Sequence, residues 1–168
     1  RALEQGAGDS TVAAFTRASD ALAVAVALQT AMHQATWQGS DPLRVRVAVH
    51  AGEVDVDHRG GYVGPTMNRC GRLLQASHGG QVLASATVVE LGRAGLGGST
   101  LRELGVHHLR GIDEPVAIVQ VSGAGLPDSF PPVRTQEGAA RTVPLPDSSF
   151  VGRRADIDAV ASLVAAQR

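Results

Sequence analysis

With 168 residues, the chain is long enough for one ordinary domain and a tail. Apolar residues make up 43% of it but aromatics only 3%, so any core has to be built from Ala, Val and Leu. A net charge of −1 removes a composition-based case for nucleic acid or an anionic membrane, and a single cysteine, Cys70, excludes an internal disulfide.

Taken in chain order, Glu4-Gln5-Gly6-Ala7-Gly8-Asp9 reads as a Gly-rich turn ahead of a short strand from Thr11 to Phe15. A carboxylate at the tip of such a turn is exposed and pre-aimed, which suits a Mg²⁺ or Mn²⁺ ligand beside a triphosphate. The other reading of Asp9 is a turn aspartate bonded to its own backbone. Ser19 or Asp20 can cap a helix running to about Thr36, Ala-rich and therefore suited to close packing on a sheet. Leu43 to Val49 then alternates apolar and polar residues, the period of a half-buried strand.

Next comes Gly64-Pro65-Thr66-Met67-Asn68-Arg69-Cys70-Gly71-Arg72. Gly64 fits an N-cap and Pro65 the first helical position, where a missing N–H costs nothing. Asn68 and Arg72, four residues apart, project from one helix face. An amide beside a guanidinium suits a negatively charged, oxygen-rich ligand, the guanidinium gripping phosphate bidentately. An exposed helix face with two ordinary polar residues is the plain alternative.

His78-Gly79-Gly80 breaks that helix, and a strand from Gln81 to Ser85 and a short helix from Ala86 to Arg93 follow. Leu101 to Gly105 reads as a strand, and His107 to Gly111 with Val116 to Val121 as a closing hairpin or meander. The alternation of strands and helices predicts an α/β (α+β sandwich) architecture. His107 and His108, adjacent on a strand, point to opposite faces and do not chelate together easily. His50 reads as a packing or hydrogen-bonding histidine, and Cys70 as a packing residue. With no basic stripe, helix-turn-helix signature or aromatic platform, no direct nucleic-acid contact is expected. One cysteine, no visible signal peptide and no bilayer-spanning run predict a cytoplasmic location and no membrane partner.

His50-Ala51-Gly52-Glu53 followed by the run from Tyr62 to Leu73, flanked by two strands, resembles the second half of a class III adenylate/guanylate cyclase catalytic domain. The likeness is closer to the cyclase-like domains of actinobacterial multidomain transcriptional regulators of the LuxR type, and runs from about the first residue to about Thr135. It implies a ferredoxin-like class III nucleotidyl cyclase fold with helices on one side of the sheet, lacking its first strand here. It also implies a homodimer with the site at its interface. By the same resemblance Asp9 binds Mg²⁺ or Mn²⁺, Asn68 orients the ribose of ATP or GTP, and Arg72 stabilises charge on the transferring phosphate.

Three departures accompany these matches. The family's other metal aspartate lies on a strand N-terminal to this chain. The purine-reading Lys is replaced by Gln5 with no Lys anywhere in the sequence, and the Asp or Thr seven residues before Asn68 is Gly61. Two readings follow. The chain is a degenerate cyclase homology domain that senses a nucleotide or dimerises within a signalling regulator, or it is an active cyclase converting ATP or GTP to a 3′,5′-cyclic nucleotide and pyrophosphate.

Residues 1–122 are thus expected to form the cyclase-like domain, and 123–149, rich in Pro, Ser, Gly and Asp, a linker. Within the linker, Phe130 to Thr135 resembles the segment that follows the domain in those regulators. Phe150-Val151-Gly152-Arg153 leading into an apolar-faced stretch from Ala155 to Ala166 looks like the opening of a STAND or AAA-type ATPase, so 150–168 reads as a truncated start of one. No phosphate loop follows. A terminal amphipathic helix is the alternative, and the initial Arg1 predicts a fragment of a longer protein.

Overall fold

The computed structural model describes the backbone of residues 4–7 and residues 10–37 and 41–135 in full; Asp9 and residues 136–168 lie outside the described residues, as does the expected ATPase opening. Glu4–Ala7 (β1) and Ser10–Ala13 (β2) pair as an antiparallel hairpin, with Gln5 opposite Val12. The stretch expected to be wholly turn is therefore mostly strand. A 17-residue helix, Ala18–Gln34 (α1), follows.

Four strands form the main sheet, in the order Val47–Val49 (β3), Val82–Ser85 (β6), Val116–Ser122 (β8) and Thr100–His107 (β7). β3 runs parallel to β6, and the other pairs are antiparallel. Asp55–Val56 (β4) and Tyr62–Val63 (β5) make a small separate hairpin. The helix Pro65–Ala76 (α2) then crosses from β3 towards β6, while Ala86–Gly92 (α3) and a 3-10 turn, Arg93–Leu96, lie between β6 and β7.

Strand β6 explains the layering. All four of its residues are buried, because they alternate between two cores. Val82 and Ala84 join Val49, Val119 and Val121 against Leu22 and Ala25 of α1 and Val88 and Val89 of α3. Leu83 and Ile118 point the other way, onto Leu73 and Ala76 of α2 and Leu109. Helices consequently cover both faces of the sheet. The one-sided arrangement that the resemblance implied holds for α1 and α3 only, since a strand apolar on both sides needs cover on both. Leu104 reaches the second core through an irregularity in the β7–β8 register between Glu103 and Gly105.

Three amides run through the interior. Gln29 Nε2 donates to Val45 O at 2.7 Å, Gln81 Nε2 to Gln120 Oε1 at 2.8 Å, and Gln120 Nε2 to Asp128 O at 2.7 Å. Asp128 belongs to the beginning of the expected linker, and residues as far as 135 lie against the body. Val133 packs beside Leu73 and Ala76, the Arg134 N–H donates to Ala76 O at 3.0 Å, and Thr135 is buried.

The Ala-rich α1 sits so close to the 3-10 turn that a Cβ on Gly95 would overlap the Ser19 carbonyl, whereas a Cβ on Gly97 would meet nothing within 4 Å. We expect Gly95→Ala to destabilise the fold by about 1–3 kcal/mol through forced separation of these elements. Gly97→Ala should stay within about 0.5 kcal/mol of the parent. Urea midpoints at unchanged m-value decide the comparison.

Candidate functional site: two clefts at the start of α2

Where β3 ends, the chain turns through His50-Ala51-Gly52-Glu53 and meets the first turn of α2. Thr66 Oγ1 donates to Glu53 O, and this approach needs Gly52, where a Cβ would stand 2.6 Å from Thr66 Oγ1. The two sequence motifs, thirteen residues apart at this contact, thus form one surface. Gly64 and Pro65 take the N-cap and first helical positions as expected.

Two clefts open there. One, of about 400 Å³, is lined by His50, Glu53, Asp55, Thr66 and Arg69 among others. Its neighbour, of about 280 Å³, lies between Asn68, Arg69 and the β7–β8 loop residues Gly111 to Glu114. Pro65 and Arg69 border both. The Arg69 guanidinium donates through Nη2 to Glu114, across forty-five residues of sequence.

The expected site residues are dispersed. Asn68 is exposed and faces the smaller cleft. Arg72 borders neither: its Nη1 donates to Gln75 Oε1 at 2.9 Å, Nη2 lies beneath Gly111, and its buried Nε has no partner among the described residues. Gly61 closes the β4–β5 turn, its N–H donating to Asp57 Oδ1 and its carbonyl accepting from the Asp57 N–H, both at 2.8 Å. Gln5 sits on β1, and Asp9 is outside the described residues. Among the described residues no three of His, Cys, Asp or Glu converge on one point. Arg69 went unmarked by the sequence reading, although it stands beside Asn68; the two-cleft position that singles it out depends on a loop far along the chain.

His50 Nδ1 is 2.8 Å from the buried Ser85 Oγ, which fixes the ring at the cleft wall. Burial, and secondarily the Arg69 charge, hold its imidazole below the ordinary histidine range. Burial likewise pushes the Cys70 thiol up, keeping it protonated beside Ala48 O. His50 is thus hydrogen-bonded, one of the two roles expected of it, while Cys70 is half-buried and lies outside both apolar cores. His107 Nε2 pairs with Leu104 O at 2.8 Å while His108 is exposed, so they share no ligand position.

Comparison with known proteins bears on the fold. No family model matches the sequence. An uncharacterised protein of Mycobacterium tuberculosis is 42% identical over 152 residues, which is 89% of this chain and 50% of that protein. A receptor-type adenylate cyclase of Trypanosoma congolense is 36% identical over 101 residues, 56% of this chain and 13% of that protein. An adenylate cyclase structure from Trypanosoma brucei, solved in the monomeric state, superposes with a TM-score of 0.70 at 23% identity, covering 80% of this chain and 77% of that one. The chain has the mixed α/β fold of class III adenylate cyclase domains. It spans about half the length of the mycobacterial relative it matches.

Because the folded pKa of His50 is depressed, the native state takes up that proton later than the unfolded chain. The associated stability is present above about pH 6.5 and is lost as pH falls through the folded value. His50→Gln should flatten the acid limb of a urea-midpoint profile below about pH 6.5, and Arg69→Gln should raise the His50 NMR titration midpoint. An unshifted midpoint in the Arg69 variant would contradict the charge contribution.

Proposed function

We propose that this chain is a cyclase homology module that senses a nucleotide, ATP or GTP, and pairs with a second copy to control a longer signalling regulator. The observation that carries it is the start of α2, which presents the Asn68 amide to an open cleft beside a guanidinium. Such a pair can hydrogen-bond a ribose or phosphate oxygen. Selection of the base finds no support at Gly61, whose backbone is spent in its own turn. This favours sensing over turnover.

Other parts of the proposal rest on sequence. Asp9 would be the Mg²⁺ or Mn²⁺ ligand if a metal accompanies the nucleotide. Arg72, taken as the phosphate residue by resemblance, would need to leave Gln75 to reach a ligand in either cleft. The Phe150-Val151-Gly152-Arg153 run supports an ATPase following the linker, as in LuxR-type regulators, and a cytoplasmic setting. No helix of the described residues is long and apolar enough to cross a membrane.

Isothermal titration of the full chain with ATP and GTP in Mg²⁺ tests the reading, alongside a mass-spectrometric assay for cyclic nucleotide. We expect a nucleotide to bind, Asn68→Ala to weaken it about fivefold through loss of one hydrogen bond, and no cyclic product to form. Failure of both nucleotides to bind would end the sensing proposal. Formation of a 3′,5′-cyclic product would establish the active-cyclase alternative instead. Sedimentation equilibrium checks pairing: a monomer at all concentrations tested would remove the dimer.

A further inference from the structure

We infer that Arg69, rather than Arg72, is the anion-facing guanidinium of the Asn68 cleft, and that Glu114 is its built-in competitor. The inference rests on the nucleotide-sensing reading for the identity of the ligand, but its geometry is independent of it.

Arg69 follows Asn68 directly on α2 and borders both clefts, so a ligand entering either one meets its side chain. Its Nη2 is engaged by Glu114, and no second acceptor engages the guanidinium among the described residues. A planar fork with five donors is left largely unspent. Arg72 is differently committed, to Gln75 and to the space beneath Gly111. A ligand anion in the smaller cleft therefore encounters Arg69 without rearrangement of α2.

Charge balance assigns the role of Glu114. With its carboxylate in place, Glu114 neutralises Arg69 and Asp113 adds a second negative charge to the same wall, offset by Arg72 beneath Gly111, so the carboxylate of Glu114 opposes an incoming anion. Glu114 is 77% exposed, whereas Arg69 is 31% exposed. An ion pair so open to water is weak and is screened by salt. A phosphate group, by contrast, can take two parallel N–H donors from the same guanidinium. The exchange favours the phosphate, and the displaced carboxylate returns to solvent. Glu114 thus sets the ligand concentration at which the cleft fills, without contributing to the filled state.

The test uses the full chain at low ionic strength, titrated calorimetrically with inorganic tripolyphosphate and separately with ATP and GTP. Glu114→Gln should tighten tripolyphosphate binding about two- to fivefold, and added salt should narrow the gap from the parent. Arg69→Gln should weaken it at least about tenfold, and more than Arg72→Gln does. Arg69→Lys, which keeps charge but not the fork, should fall between. Circular dichroism melts of each variant separate loss of binding from loss of fold; if Arg69→Gln unfolds, the Glu114→Gln and Arg69→Lys results decide.

A larger loss with Arg72→Gln than with Arg69→Gln, or no gain with Glu114→Gln, overturns the inference. So does an absence of tripolyphosphate binding in both the parent and Glu114→Gln. Arg69-dependent tripolyphosphate binding without ATP or GTP binding would leave this inference standing and remove the nucleotide reading. Nucleotide binding indifferent to Arg69 would do the reverse.

Discussion

Burial of β6 on both faces is the constraint from which the arrangement follows. Val82, Leu83, Ala84 and Ser85 are each no more than 2% exposed, so neither side of this strand tolerates water. One face takes α1 and α3, the other takes α2. Because β3 and β6 are parallel, the chain between them has to cross over, and α2 is that crossover. Its first turn consequently rises at the carboxyl end of β3, where open α/β sheets place their ligand crevices. The clefts at His50, Asn68 and Arg69 are there because β6 requires a helix over its second face.

Helix α2 is secured at both ends by contacts remote in sequence. At its start, Thr66 is bonded to Glu53 O. At its end, the Arg134 N–H satisfies Ala76 O, one of the carbonyls that a helix terminus leaves without a partner, while Val133 packs beneath. The strap that supplies these last contacts is itself tied down by the Gln120 amide on Asp128 O, and Gln120 is bonded to Gln81. Amides buried at 1% and 2% exposure are costly to leave unpaired, so this chain of bonds resists partial loosening. The residues at the cleft are thereby held by parts of the chain that never touch it.

Charge at the cleft is arranged with little burial of ions. Arg69 serves three neighbours at once: it depresses the His50 proton affinity, pairs with Glu114, and borders the space beside Asn68. His50 is kept neutral mainly by desolvation, so it adds a polar wall without adding charge at neutral pH. The cleft's electrostatics therefore turn on one solvent-open pair rather than on a buried cage of ions.

Much of this was legible in the chain itself. Gly64-Pro65 announced the start of α2, and the Gly-Gly break its end, because capping preferences are local. The apolar run after Gln81 was readable for the same reason, whereas the closing hairpin expected from His107 to Gly111 with Val116 to Val121 is built instead from Thr100–His107 and Val116–Ser122, leaving residues 108 to 111 in the loop. The Leu43 strand shrank to Val47–Val49, and two-residue β4 and β5 were invisible, since strand length is set by a partner rather than by alternation alone. Helical spacing also paired Asn68 with Arg72 and passed over Arg69, which lies about 100° around the helix from Asn68. What the sequence by itself determined was the order of the three helices and of strands β2, β3, β6 and β8, and the polar character of the α2 start, because those depend on near neighbours. Which arginine faces the cleft, and what opposes it, was decided by the tertiary structure: only folding brings Glu114 to Arg69 and places Gly111 above Arg72.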